Sequence, residues 1–170
     1  MALKRLPCAT DANVVIDLYH GRVLAHAARG FRLLVPDVIV VEELRTPRGP
    51  ELVHQGLIEA VTFTGEELLA ILNLRGKYPG PSLADLFALH LAHTQGLVLL
   101  TGDGLLRKVA RREGVEARGV LWVLEQLIAM GLLLPHEAAV SLEHMLKAGA
   151  RLPERAWRLR LRAWRGGQTA

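Results

Sequence analysis

The sequence predicts an α/β domain: a central, mainly parallel sheet with helices on both sides, three layers in all. Three observations predict it. Strand-like and helix-like segments alternate along the chain, the pattern of a sheet covered on both faces. Residues 97–101, Leu-Val-Leu-Leu-Thr, are apolar on both faces, as buried parallel strands are. The 170 residues are 51% apolar and 22% charged, enough for one domain with a real core.

The elements follow in order. Residues 6–10 read as a first short strand. Residues 14–28 read as one helix, closed by Gly30. Residues 33–35 make a second strand, and Pro36 suits the first turn of the next helix, where a missing N–H is harmless. That helix runs to about Arg45 and stops before Pro47. Residues 60–63 form a third strand. Thr64-Gly65-Glu66-Glu67 then fits a capping box, so Glu66 and Glu67 need no chemical explanation. Their helix runs to about Leu74, and Gly76, Pro79, Gly80 and Pro81 form a loop. Ser82 caps a helix over residues 83–94, and Gly96 ends it. Residues 97–101 are the fourth strand, 105–113 a helix, and 115–118 a last short strand. Two further helices, 120–130 and 135–148, stop at Gly131 and Gly149. Residues 151–165 fit either a helix face or a strand alternation; Pro153 and Glu154 suit a first helical turn, which favours helix. The expected organisation is a core over residues 1–118 and a helical extension over 119–170, with a basic tail, packed on the same domain.

Composition excludes several classes. No apolar stretch is long enough to span a bilayer; residues 120–134 come closest and are interrupted by Glu125 and Gly131. No uninterrupted signal-peptide core stands at the N-terminus. The single cysteine, Cys8, cannot form an internal disulfide, so a reducing cytoplasm is expected. The net charge is +4, unevenly spread. Lys147, Arg151, Arg155, Arg158, Arg160, Arg162 and Arg165 face only one acid, Glu154, in that stretch. Arg107, Lys108, Arg111 and Arg112 form a second group. Such clusters can neutralise phosphates, although a charged run alone is more often a solvated face.

Four acids stand at the ends or on the flanks of core segments: Asp11, Glu43, Asp85 and Asp103. In a parallel sheet, Asp11 after the first strand and Asp103 after the fourth point into one crevice. Asp85 lies one turn into a helix entered from that edge, and Glu43 lies on a mostly Val and Ile helix. Each acid has an ordinary explanation alone: a cap, a dipole partner, a turn residue or, for Glu42 or Glu43, a partner of Arg45. Four at equivalent stations imply something positive between them, and a divalent cation held by oxygen ligands is the simplest candidate.

These residues carry a family resemblance. Asp11-Ala12-Asn13-Val14, the stretch from Pro36 through Glu43-Leu44, Ser82-Leu83-Ala84-Asp85 through Ala92, and Leu99-Leu100-Thr101-Gly102-Asp103 together resemble the PIN-domain nucleases, over about residues 5–118. Residues 114–119 and the helix after them are similar to the variant with extra C-terminal helices. The resemblance implies a ribonuclease using Mg²⁺ or Mn²⁺, with Asp11, Glu43, Asp85 and Asp103 as catalytic acids. Asp11, Asp103 and Asp85 would hold the metal, and Asn13, Thr101 and Ser82 would support them. Gly102 and Gly104 stand where the family often has a further polar residue, which leaves a second metal position open. It also implies an RNA substrate, a homodimer and, as in VapC-like toxin ribonucleases, a cognate antitoxin. Arg107, Lys108 and the C-terminal arginines are the expected backbone contacts.

Two rivals are distinguishable. A PIN-like RNA- or protein-binding module without activity would need no intact quartet. A haloacid-dehalogenase-like phosphatase would use Asp11 as nucleophile but needs an acid where Asn13 stands. Among the histidines, His90 and His93 are three apart on the Asp85 helix, a spacing expected of a solvated helix edge.

Overall fold

The computed structural model of the chain describes residues 4–167. Five parallel strands form one sheet: β1 (Leu6–Thr10), β2 (Phe31–Pro36), β3 (Glu59–Val61), β4 (Val98–Leu100) and β5 (Ala117–Arg118), in the order β3-β2-β1-β4-β5. Parallel neighbours need crossovers, and helices supply them. Between β1 and β2 lie α1 (Ala12–His20) and α2 (Leu24–Gly30). Between β2 and β3 lie α3 (Asp37–Glu42) and α4 (Gly49–His54). Then α5 (Gly65–Lys77) and α6 (Leu83–Gln95) lead to β4, and α7 (Gly104–Arg112) leads to β5. After β5 come α8 (Val120–Ala129), α9 (Pro135–Lys147) and α10 (Glu154–Arg165). The result is the three-layer α/β/α arrangement the alternation predicts.

The central strand β1 is fully buried at Cys8 and Ala9, and β4 at Leu99 and Leu100. One apolar cluster runs from Cys8 to Trp164 and joins the sheet to α6 on one side and to α1, α2, α8 and α9 on the other. The C-terminal helices share this cluster through Val123, Leu124, Leu127, Leu142 and Met145. Trp164 on α10 is 0% exposed. Burying so large a ring anchors the last helix more firmly than its surface ion pairs can. The segment over residues 154–165 is therefore a helix: Leu161 and Trp164 lie on one face three residues apart.

Three sequence expectations change. The helix over 14–28 is broken in two. Met145 of α9 packs so close to Gly21 that a Cβ there would stand 2.5 Å from the Met145 methyl. Glycine is thus used at the helix end for close approach, and the left-handed residue that closes the turn falls on Arg22, at φ 56°. Val23 N–H donates to Leu18 O at 3.0 Å and Arg22 N–H to Tyr19 O at 2.9 Å, the Schellman closure. Pro36 stands one position before the helix rather than inside its first turn: it is the last residue of β2, in register with Val61, and the N-cap of α3. The helix after it ends at Glu42, three residues early, and a separate short α4 follows. Elsewhere boundaries shift by a few residues: α5 continues through Gly76 to Lys77.

Candidate active site

The strands all run the same way, so the segments that leave them meet at one edge. The ladder continues beyond the strands there. Asp11 N–H donates to Leu100 O at 3.1 Å, and Thr101 N–H to Arg118 O at 2.8 Å. These bonds set the ends of β1, β4 and β5 side by side.

Among the helices that begin at this edge, α1, α6 and α7 hold a candidate acid at the N-cap or on the first turn. Asp11 is the N-cap of α1, and its Oδ1 accepts from Val14 N–H at 2.9 Å. Asp103 is the N-cap of α7, and its Oδ1 accepts from Leu106 N–H at 2.7 Å. Ser82 and Asp85 form a capping box on α6: Ser82 Oγ accepts from Asp85 N–H at 3.0 Å, and Asp85 Oδ2 accepts from Ser82 N–H at 2.9 Å. The capping explanations are correct and do not exhaust these residues. Each carboxylate spends one oxygen on its helix, which fixes its orientation, and keeps the other.

Asp11 is the most telling. It is 2% exposed, and its Oδ2 is buried without a hydrogen-bond partner. Burial raises its pKa to about 6. The Thr101 hydroxyl and the Val14 amide pull the value down, and the charges of Asp85 and Asp17 push it further up. Orphaned buried carboxylate oxygens are costly and call for a partner.

Glu43 is the C-cap of α3, on the turn that leaves the helix, so it escapes the apolar stripe of Ile39 and Val40. Its pKa is raised, first by partial burial and then by the Asp85 charge. Asp85 thus repels Asp11 on one side and Glu43 on the other, which ties the three to one place. Glu42 is exposed and pairs with Arg45 at 3.9 Å. Glu43 is the neighbour that feels the Asp85 charge.

The supporting residues act on Asp103. Thr101 is buried, and its hydroxyl accepts from Asp103 N–H at 3.0 Å. Its carbonyl accepts from Arg107 Nε at 3.2 Å and Nη2 at 2.9 Å. Arg107 is thereby half-buried and committed to the Thr101 turn, whereas Lys108 is exposed. Asn13, in the first turn of α1, lines a cleft of about 340 Å³ with Asp17, Gly102, Asp103 and Arg151.

Asp17 is the residue that sequence reasoning missed. It lies four residues after Asn13 on the same face of α1, in the apolar run Val14-Val15-Ile16-Asp17-Leu18. Burial pushes its carboxyl up to about 6, and His20 draws it back. A lone acid in that run is the signal that marks it. Corrections fall elsewhere. His90 is no solvated edge; it is buried on α6 with Glu67 3.6 Å away, and only His93 is exposed. Among the C-terminal arginines, Arg158, Arg160 and Arg165 are already paired with Glu154, Glu125 and Glu143.

The donor set at this edge is all carboxylate oxygen, suited to a hard divalent cation such as Mg²⁺ or Mn²⁺. The buried, unpartnered Asp11 Oδ2 fits that requirement. Among the described residues, no three acids or histidines already form a closed ligand cluster. The edge supplies oriented carboxylates and a negative field, and a cation would draw the free oxygens together.

A parallel α/β/α sheet with acids at its carboxyl edge places a negative pocket where ligands of such sheets bind. Comparison with protein families matches residues 8–165 to a PIN-domain family, so this chain belongs to the PIN-domain family. The match runs through α8, α9 and α10 as well as the sheet. PIN domains are generally nucleases and generally use divalent metals. A search of curated proteins finds no match. No helix among the described residues is long and apolar enough to cross a membrane.

Proposed function

We propose that this protein is a metal-dependent endoribonuclease that hydrolyses RNA phosphodiester bonds with Mg²⁺ or Mn²⁺. The observation that carries the reading is Asp11: a buried carboxylate with one oxygen fixed by α1 and the other unpartnered, repelled by Asp85, at the carboxyl edge of a PIN-domain sheet. Asp11, Asp85 and Asp103 would hold the cation, with Glu43 completing the negative pocket. A cation bound there lowers the pKa of a bound water and stabilises charge on the phosphate. The chain's own residues do the rest. The three helix N-termini orient the carboxylates, so little reorganisation is needed when the substrate arrives. Thr101 holds the Asp103 turn through its hydroxyl and anchors Arg107 through its carbonyl. Uncompensated, the acids would repel a phosphate, which is why activity should require metal.

The finer reading is a VapC-like toxin acting in the cytoplasm, held by a cognate antitoxin and working as a homodimer. The exposed Leu68, Leu69 and Leu72 on α5 support a face covered by protein. The test is incubation of purified protein with single-stranded RNA, with and without Mn²⁺. Cleavage with Mn²⁺, none with chelator, and loss in Asp11→Asn are expected. A well-folded, metal-supplied wild-type protein that leaves RNA intact would overturn the reading in favour of an inactive binding module.

A further inference from the structure

The acid edge opens onto a second space that the quartet does not explain. A cleft of about 370 Å³ lies between β5, α8 and the start of α10, and Arg118, Trp122, Arg151 and Arg160 stand on its walls. Asp17, Gly102 and Arg151 line both this cleft and the one beside Asp103. The two clefts share this wall and together lead from Asp103 toward the C-terminal helices. Asp103 stands on the first cleft, and Arg118, Arg151 and Arg160 stand on the second, with Glu125 beside Arg160.

The walls differ in chemistry. Leu121, Leu152, Pro153 and Ala156 make an apolar floor. Arg151 is exposed on the loop before α10. Arg118, the last residue of β5, lies over the Trp122 ring at 5.9 Å from its centroid and also bonds Glu116 at 2.8 Å. Arg160 is held by Glu125 at 2.8 Å, which ties α10 to α8 at the cleft. A guanidinium over an aromatic ring, beside an apolar floor, offers a surface on which a nucleobase can stack. Free guanidinium at the rim suits a phosphate.

We propose that this second cleft is a nucleotide subsite: it receives the single-stranded RNA residue next to the phosphate held at the acids. Arg151 and Arg118 take the backbone, and the base lies against the Arg118–Trp122 pair. The C-terminal helices are then one wall of the substrate site, and the site is incomplete without them. This rests on the ribonuclease reading above and names how that site would hold its substrate.

The experiment measures binding without cleavage. A fluorescein-labelled single-stranded RNA octamer is titrated in EDTA at several salt concentrations, by anisotropy and by tryptophan emission. Wild type is expected to bind with quenching of Trp122, and Trp122→Phe to lose that quenching. Arg118→Ala/Arg151→Ala is expected to bind on the order of tenfold more weakly, with the salt slope reduced by about 1 to 2. Arg32→Ala, at the amino edge of the sheet beside Glu59, is expected to match wild type. Equal affinity and slope in the double variant would overturn the subsite and leave the nuclease reading standing. A wild-type protein that neither binds nor cleaves the RNA would overturn both.

Discussion

The two edges of the sheet treat acids in opposite ways. At the amino edge, Glu59 on β3 meets Arg32 at 2.8 Å and Arg5 at 3.7 Å, and hydrogen bonds with Arg32 hold its carboxyl below the usual range. Glu113, after α7, is gripped by Lys77 at 2.6 Å and by the Tyr78 hydroxyl, and its pKa is likewise lowered. At the carboxyl edge, Asp11, Asp17 and Glu43 are all pushed up, chiefly by burial. Evolution of a stable fold would pair or remove such acids, and the amino edge shows that pairing is available. Acids left unpaired on one edge alone mark where a ligand is to supply the missing charge.

The comparison can be broken most severely by chemistry. Asp11→Asn keeps a capping side chain but removes the anion. RNA cleavage with Mn²⁺ should fall roughly a thousandfold or more, equivalent to about 4 kcal/mol of barrier. Residual activity near wild type would mean that Asp11 is only a cap.

Next comes the contrast between adjacent glutamates. Glu43→Gln should lower cleavage about ten- to a hundredfold, as loss of a group that supports a metal site does. Glu42→Gln, which disturbs only the Arg45 pair, should stay within about twofold. Reversed effects would move the fourth acid to Glu42.

Stability against pH sharpens the comparison without any assay of activity. Asp11 binds a proton more tightly folded than unfolded. Its contribution is therefore favourable at low pH and is lost as pH rises through about 6. In chelator at pH 7.5, Asp11→Asn should be more stable than wild type, by an amount on the order of 2 kcal/mol. The difference should vanish below about pH 4. Adding Mn²⁺ should stabilise wild type and not the variant, which denaturant melts can follow.

The smallest effect has the opposite sign. Glu113 is held low, so its stabilisation is present above its unfolded pKa and lost as pH falls. Glu113→Gln should cost less than about 1 kcal/mol at neutral pH and nothing in strong acid. Matching pH profiles for the two edges would erase the distinction between them.

Much of this was legible in residues alone. The alternation of apolar strands and capped helices predicted the α/β layers, because period and capping are local properties. The capping boxes at Thr64 and Ser82 formed as their spacing demanded. The stations of Asp11, Asp85 and Asp103 followed from the rule that parallel strands deliver their loops to one edge. What was not legible depended on neighbours distant in sequence. At Gly21, Met145, more than a hundred residues away, packs where a side chain would stand. Asp17 carried a signal in its apolar run, but that it shares a cleft with Gly102 and Arg151 shows only in the fold. Glu125 and Glu143 lie on other helices, so their pairing with Arg160 and Arg165 could not be read from the basic tail.

The sequence by itself determined the layers, the helix caps and which acids reach the carboxyl edge, since these rest on periodicity and short-range hydrogen bonds. Only the tertiary structure decided which charges are neutralised and which are left over. Pairing depends on distance in space, and burial, which turned Asp11 from a cap into a carboxylate awaiting a partner, exists only once the chain has packed.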